Sequence, residues 1–284
     1  MSQQHTHARS TTSKLVSLFA PGEAVMNRLK YVNKFLMIGL LFAIPLIVLS
    51  YLQYSDRASE VKHIQEETTG VEYVQKLNDF YYAVDTRRAS VSAVVLGDSS
   101  LKETLVQAEA KADSAAAAID KLDGEIGKQI QTTDKWNAVK KKWSDLKAKG
   151  TALTSQESID QHASVITDTR SLMTHITNTS GLVLDGELGS YYLMDASVKQ
   201  MPLLLDRAGR ARALAVAYAA AKTPTAAEIR TLTTLLDQIK TTQETIKSDL
   251  DTAAQVHSDI GAKLQEAYTA NSAELDHLIE YVNS

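Results

Sequence analysis

The chain has 284 residues, 12 glycines, 4 prolines, 6% aromatic side chains and a net charge of −4, a composition suited to long helices rather than sheet. The absence of cysteine excludes disulfides, thiolate zinc sites, iron–sulfur clusters and cysteine nucleophiles, and suits an oxidising periplasm. With no basic block outside the candidate membrane segment, the acidic balance argues against nucleic acid as a partner.

In chain order, residues 1–34 read as a cytoplasmic tail whose first 25 residues are polar and aperiodic. His5 and His7 are too few to argue for a metal, and Met26 is an alternative start. Phe35 to Leu52 is an uncharged apolar run of 18 residues, long enough for one membrane span, and the span is placed at 35–54. Arg9, Lys14, Arg28, Lys30 and Lys34 precede it with Glu23 as the only acid, whereas the twenty residues from Tyr51 hold two basic and four acidic side chains. The positive-inside rule then puts the N-terminus in the cytoplasm and residues 55–284 in the periplasm. A cleaved signal peptide is the alternative, but its apolar core would run about 7 to 15 residues and end in an A-x-A-like site.

Beyond the span, three capping boxes mark helix starts: Ser100 to Glu103, Thr154 to Glu157 and Thr225 to Glu228. The three turns give four antiparallel crossings, from about Asp56 to Leu96, Leu101 to Lys149, Ser155 to Ala221 and Ala226 to Ser284. The last, 59 residues long, would reach about 90 Å and point back to the bilayer with Leu275, Leu278, Ile279 and Val282 in phase. Breaks at Asp123 to Gly127 and Asp185 to Ser190, with Ser190 as a cap for a helix from Tyr191, interrupt the second and third crossings. If the chain keeps its direction at both, the all-α domain is an elongated antiparallel four-helix bundle, drawn out into two stacked four-helix modules.

Apolar residues at 3-4 spacing define the seams. On the first helix these are Val74, Leu77, Tyr81, Val84, Val91 and Val95, with Arg88 among them. On the last they are Leu232, Leu236, Ile239, Ile246, Leu250, Ala253, Ile260, Leu264 and Ala267, with Gln243 and His257 in the same row. A cation in a core row needs an anion. Arg88 therefore either receives a ligand carboxylate, with Tyr81 two turns before it and Arg87 as a weaker neighbour, or pairs with an internal acid or turns outward. The segment Leu182 to Arg212 is the second dense stretch. Pro202 implies a kink or a local opening near Val198, and Tyr191, Tyr192, Asp195, Arg207, Arg210 and Arg212 bring hydroxyls and both charges near it. They line a polar cavity, or else Tyr191 and Met194 are core and Asp206, Arg207 and Arg210 form a surface ladder.

The lysines Lys135, Lys140, Lys141, Lys142, Lys147 and Lys149 share their helix with Trp136, Trp143 and Leu146, and read as a solvated face, with anionic headgroups as the alternative. No catalytic motif occurs, so no enzyme activity and no cofactor is expected. Two Glu-x-x-His pairs, Glu60 with His63 and Glu274 with His277, lie beside the seams rather than in them and are weak as a di-iron signal. His162 and His175 read as polar helix-face residues.

MNRLKYVNKFLMIGLLFAIPL, the Gly70 to Leu77 stretch, TRRASVSAVVLGD and above all LVLDGELGSYYLMDASVKQMPLLLDRAGRARAL resemble the N-terminal sensory region of bacterial methyl-accepting chemotaxis proteins. Related transmembrane histidine kinases and diguanylate cyclases are similar here, and the resemblance covers about residues 26–284. Where that family often has Leu-Asp-Pro-Asp-Leu-Asp, this chain has Leu184-Asp185-Gly186-Glu187-Leu188-Gly189, which loosens the joint. The resemblance implies an inner-membrane chemoreceptor whose helical periplasmic domain binds a small organic acid or amino acid. It further implies a homodimer and signalling modules following this chain. The input domain of a kinase or cyclase, or a ligand-free adaptor bundle, are the alternatives. Ser284 is accordingly expected to lie inside a longer receptor.

Overall fold

The computed structural model describes residues 27–183, 187–221 and 224–257, with single positions at 22 and 24 and a scatter from 261 to 280. The described residues are helical apart from short turns, and the fold is all-α. Seven helices follow one another: α1 (Tyr31–Val95), α2 (Lys102–Ile126), α3 (Thr133–Lys149), α4 (Ser155–Thr179), α5 (Leu188–Met194), α6 (Met201–Ala221) and α7 (Ala226–Val256). A π-helical turn, Asp195–Gln200, joins α5 to α6 without a break.

The chain divides into two compact units, Met1–Lys62 and His63–Ser284. In the first, α1 is long and apolar enough to cross a membrane. Its most apolar 18-residue stretch has a mean hydropathy of 2.5 and no buried residue, and Phe35, Leu41 and Ile47 are exposed. In the second unit the polar spacing changes, and Tyr73, Val74, Leu77, Phe80, Tyr81, Val84 and Val91 of α1 become core.

The capping boxes at Thr154 and Thr225 are present, with backbone-to-carboxylate bonds of 2.9 Å to Glu157 and 2.7 Å to Glu228. The third is replaced. Asp98, following Gly97 at φ +100°, accepts from the Ser100 amide at 2.9 Å and its hydroxyl at 2.6 Å, and a 3₁₀ turn over Ser99–Leu101 precedes α2. A carboxylate one residue behind the glycine out-competes the serine hydroxyl as acceptor. At α5 the helix begins at Leu188, so Ser190 sits in its first turn rather than capping it. Asp185 lies outside the described residues.

Both interrupted crossings reverse instead of continuing. Asp120 meets Trp136 and Lys140 while Asp113 meets Trp143 and Lys147, so α2 and α3 form an antiparallel hairpin. The turn between them is held by Asp123, which accepts the Tyr73 hydroxyl at 2.8 Å and the Thr132 hydroxyl at 2.6 Å. The His175 Nε2–H donates to the carbonyls of Ile130 and Gln131. Lys149 meets Gln161 and Lys142 meets Asp168, making α3 and α4 antiparallel. Two hydrophobic cores result, one shared by α1, α2, α3 and α4 and the other by Ile159 of α4, the π turn, α6 and α7. They lie side by side, because α6 runs along the same part of α1 that feeds the first core: Tyr81 donates to the Pro202 carbonyl at 2.7 Å. End-to-end stacking would have required straight passage through residues 127–132 and 180–187.

The first core is centred on Phe80, whose ring meets Trp136 and Trp143 edge-on at 5.4 and 5.9 Å. Both indoles donate to aspartates on α2, as buried tryptophans require. The same aspartates, with Asp145 and Asp168, pair with Lys140, Lys141, Lys142 and Lys147, so these lysines form a self-neutralised surface ladder rather than a free cationic face.

The last helix ends at Val256 and does not extend to Ser284 as one rod. Of its expected seam, Leu236, Ile239, Gln243, Ile246, Leu250 and Ala253 are buried, while Ile260, Leu264, Ala267, Leu275, Leu278, Ile279 and Val282 lie outside the described residues. The Tyr268 hydroxyl donates to the Gln243 carbonyl at 3.2 Å. In a continuous helix those residues would stand about 37 Å apart.

Close packing at the start of the bundle rests on Gly70 of α1, where a Cβ would lie 2.6 Å from the Ser180 Cβ and overlap its hydroxyl. Gly70→Ala should cost about 1–3 kcal/mol by overpacking, despite its better helix propensity. The expected readout is a fall in thermal midpoint by circular dichroism, with recovery in Gly70→Ala/Ser180→Gly; no fall would refute this packing.

Candidate functional site

The Arg88 side chain is buried without exposure and reaches two carboxylates. Its Nη1 donates to Asp206 Oδ1 at 2.9 Å, its Nη2 to the Asp206 carbonyl at 3.1 Å, and Nη2 also pairs with Asp85, one turn before it on α1. Of the alternatives open from the sequence, the described residues show the internal pairing. Burial works against the arginine charge, but Asp85 and Asp206 outweigh it and hold the guanidinium above its ordinary value. Burial likewise pushes the Asp85 carboxyl up, against the pull of Arg88 and Arg212. The helices approach closely because α6 has Gly209 opposite the pair. A Cβ there would come within 2.5 Å of Arg88 Nη2 and 2.7 Å of Asp85 Oδ1. Tyr81 stands two turns away with its hydroxyl on Pro202, and burial pushes that phenol upward. Tyr81 and Arg88 thus do meet the Tyr191 to Arg212 segment, through Pro202 and Asp206.

Arg87 serves the other core. It too is fully buried, its Nε donates to Glu109 at 2.9 Å, and its guanidinium lies 5.4 Å from the Trp143 ring centre. Its Nη1 is 2.9 Å from His162 Nε2. Since His162 Nδ1 is 2.6 Å from the Ser158 carbonyl, which can only accept, Nδ1 carries the proton and Nε2 accepts from Arg87. His162 is therefore a core residue, not a polar helix-face one. Burial and the two arginines push its pKa down to about 3, against the pull of the Ser158 carbonyl.

Around Pro202 the helix takes the form of the π turn rather than a sharp kink. The last wide bond runs from the Met201 amide to the Ala196 carbonyl, so the residue that cannot donate falls where the hydrogen-bond register changes. Between this turn and α4 lies a cavity of about 290 Å³ lined by Thr167, Arg170, Ser171, Thr174, Val198, Lys199, Gln200 and Leu203. Arg170 reaches Asp206 Oδ2 only at 3.5 Å, while Lys199 holds Asp195 at 3.0 Å and faces the Tyr191 ring at 5.9 Å. Tyr191 and Tyr192 pack edge to face at 5.4 Å.

Arg207 points to α7, donating to the Gln238 carbonyl at 3.1 Å and to the Thr242 hydroxyl. Burial and the neighbouring Arg170 push its pKa down. Arg210 keeps a buried Nε without a hydrogen-bond partner. Among the described residues neither has a carboxylate within ion-pair distance, so of the three only Asp206 shows the anticipated charge pairing there. Larger grooves, of about 530 Å³ between α1 and α2 with Lys76, Asp79 and Lys111 and of about 410 Å³ near Asp98 and Arg212, carry charges of both signs, whereas the charged lining of the smaller cavity is cationic.

Among the described residues no group of three or more histidines and carboxylates could hold a metal ion. Glu60 and His63 are exposed, and Glu274 lies outside the described residues. Sequence reasoning passed over Arg170 and Lys199, which sit on helices without an apolar-row conflict to mark them. It also passed over Asp85 and Asp249, which did carry a signal: Asp85 stands three residues before Arg88, and Asp249 is in phase with Ile246 and Ala253. No protein-family model, curated protein or solved structure matches the chain.

Arg88→Ala should leave two carboxylates facing each other in the interior and cost about 3–5 kcal/mol. Arg88→Ala combined with Asp85→Asn and Asp206→Asn should recover part of the loss in thermal denaturation. Equal stability of the single and triple variants would contradict the pairing.

Proposed function

We propose that the chain is the sensory region of an inner-membrane chemoreceptor-type protein, with the helical unit in the periplasm, and that a small carboxylate is its ligand. The supporting observation is the sharing of Asp206. One of its oxygens holds Arg88 of α1, the helix that carries the membrane-length apolar run, and the other reaches Arg170 at the wall of the cavity.

A carboxylate entering the cavity finds the guanidinium fork of Arg170 and the ammonium of Lys199, with the hydroxyls of Thr167, Ser171 and Thr174 beside them. The size suits a molecule of a few heavy atoms. The Arg170–Asp206 contact is long, so a ligand carboxylate competes for Arg170 at small cost. Withdrawing Arg170 leaves Asp206 to Arg88 alone, which changes the tie between α6 and α1. Ligand binding is thereby linked to the helix that begins in the membrane, through a charge balance instead of a direct contact with Arg88. Arg88 and Tyr81 are in this reading coupling residues, and Arg170 and Lys199 contact the ligand. A homodimer and cytoplasmic output modules complete the proposed receptor.

The test is a thermal-shift screen of mono- and dicarboxylates and amino acids on the full chain in lipid nanodiscs. A true ligand at a hundredfold excess over its Kd should stabilise by about 2.7 kcal/mol. Arg170→Ala should remove that gain with little change in unliganded stability, because Arg170 is partly exposed and its reach to Asp206 is long. Lys199→Ala, which also takes a cation from Asp195, should remove the gain when each variant is read against its own unliganded midpoint. No stabilising carboxylate in the wild type, or an undiminished gain in both variants, would overturn the reading.

A further inference from the structure

At the π turn two carboxylates from different elements meet. Asp195 opens the turn, and its oxygens are both engaged, Oδ1 by Lys199 at 3.0 Å and Oδ2 by the Gln200 amide at 2.9 Å. Asp249 of α7 lies within hydrogen-bonding reach of Asp195. It is 7% exposed, and its buried Oδ2 has no hydrogen-bond donor. Two carboxylates cannot bond to each other while both are ionised, and the donors present already belong to Asp195. The missing partner is a hydrogen on one of the acids.

We infer that Asp195 and Asp249 form a proton-binding site that joins the π turn to α7 in mild acid. With one proton shared, a carboxylic O–H of one acid donates to the other, and the pair becomes a neutral-to-anionic hydrogen bond between the two elements. With the proton lost, like charges oppose each other across a largely buried contact, relieved among the described residues by Lys199 and by the Gln200 amide on Asp195.

The π turn offers Asp195 and Lys199. From α6, Arg207 meets α7 at Gln238 and Thr242, before Asp249 in the chain. Ahead of α5, Glu187 faces His257 at 3.5 Å, two turns after it. On α7 itself Lys247 is held by Asp251 at 2.6 Å, with the Tyr268 phenol in its field. None of these supplies Asp249 with a cation of its own. Burial first, and then Asp195, push the Asp249 carboxyl up to about 6, against the pull of Lys199.

The direction of the pH effect follows. The folded state holds the proton more tightly than the unfolded chain, so the contact is unpenalised below the unfolded value of about 4 and loses stability as pH rises through about 6. His162 acts oppositely, its buried neutral ring weakening the fold as pH falls below about 6.5. The two effects offset each other in the whole protein, and the site must be read as a difference between variants.

The experiment compares thermal unfolding of the full chain in nanodiscs, wild type against Asp249→Asn, from pH 4 to 8. The amide retains a donor without the charge. Relative to the wild type, Asp249→Asn should gain nothing near pH 4 and gain progressively to a plateau above pH 7, by about a hundredfold in the folding equilibrium, tenfold per unit of displaced pKa. Lys199→Met should move the midpoint of this rise to higher pH, a displacement that a purely packing role would not produce. A difference independent of pH overturns the site. If Asp249→Asn does not fold, the pH profile of Lys199→Met against wild type decides alone, and an unmoved profile overturns it.

Discussion

The second half of the fold is organised by the need to neutralise one buried cation. A guanidinium removed from water is tolerable only with carboxylates and hydrogen bonds around it, and Arg88 obtains one acid from its own helix and the other from α6. The second partner is 118 residues away in sequence, so satisfying the charge fixes where α6 lies against α1. Gly209 is a consequence of the same constraint, since any Cβ at that position would occupy the space of the ion pair. The arrangement confers specificity of docking more than net stability, because a well-packed apolar pair could fill the same volume with less desolvation.

Arg87 shows how a neighbouring residue of the same type is satisfied differently. Rotated by one residue around α1, it faces the other core and finds Glu109, Trp143 and the unprotonated nitrogen of His162. The two arginines therefore pin α1 to both halves of the bundle, and α1 acts as the shared wall between two side-by-side cores. A histidine held neutral by burial can accept from a guanidinium where a protonated one would repel it. That dependence explains why His162 is placed beyond the reach of solvent.

The π turn concentrates the remaining polar chemistry. Its extra residue per turn brings Lys199 back toward Asp195 and Tyr191 while Pro202 presents its carbonyl to Tyr81. The turn borders the cavity through Val198, Lys199 and Gln200 and meets α7 through Asp195 and Asp249. Changes in charge at the cavity or at α7 act on the same six residues.

Much of the local structure was legible in the sequence. The apolar run of α1, two of the three capping boxes and the seam positions of α1 and α7 follow from composition and 3-4 spacing, which act over one or two turns. Arg88 was conspicuous because it interrupts an apolar row, and its need for an anion follows from desolvation alone. The tertiary structure decided what could not be read locally. Whether the glycines near 127 and 187 continue or reverse the chain depends on which helices find partners, and the tryptophans Trp136 and Trp143 reach their aspartates only when α3 folds back on α2. The choice of Asp206 as the partner of Arg88, the burial of Arg87 with His162 and the meeting of Asp195 with Asp249 each depend on side chains far apart in sequence. Spacing along a chain reports which face of a helix is buried; only the packed bundle determines what that face is buried against.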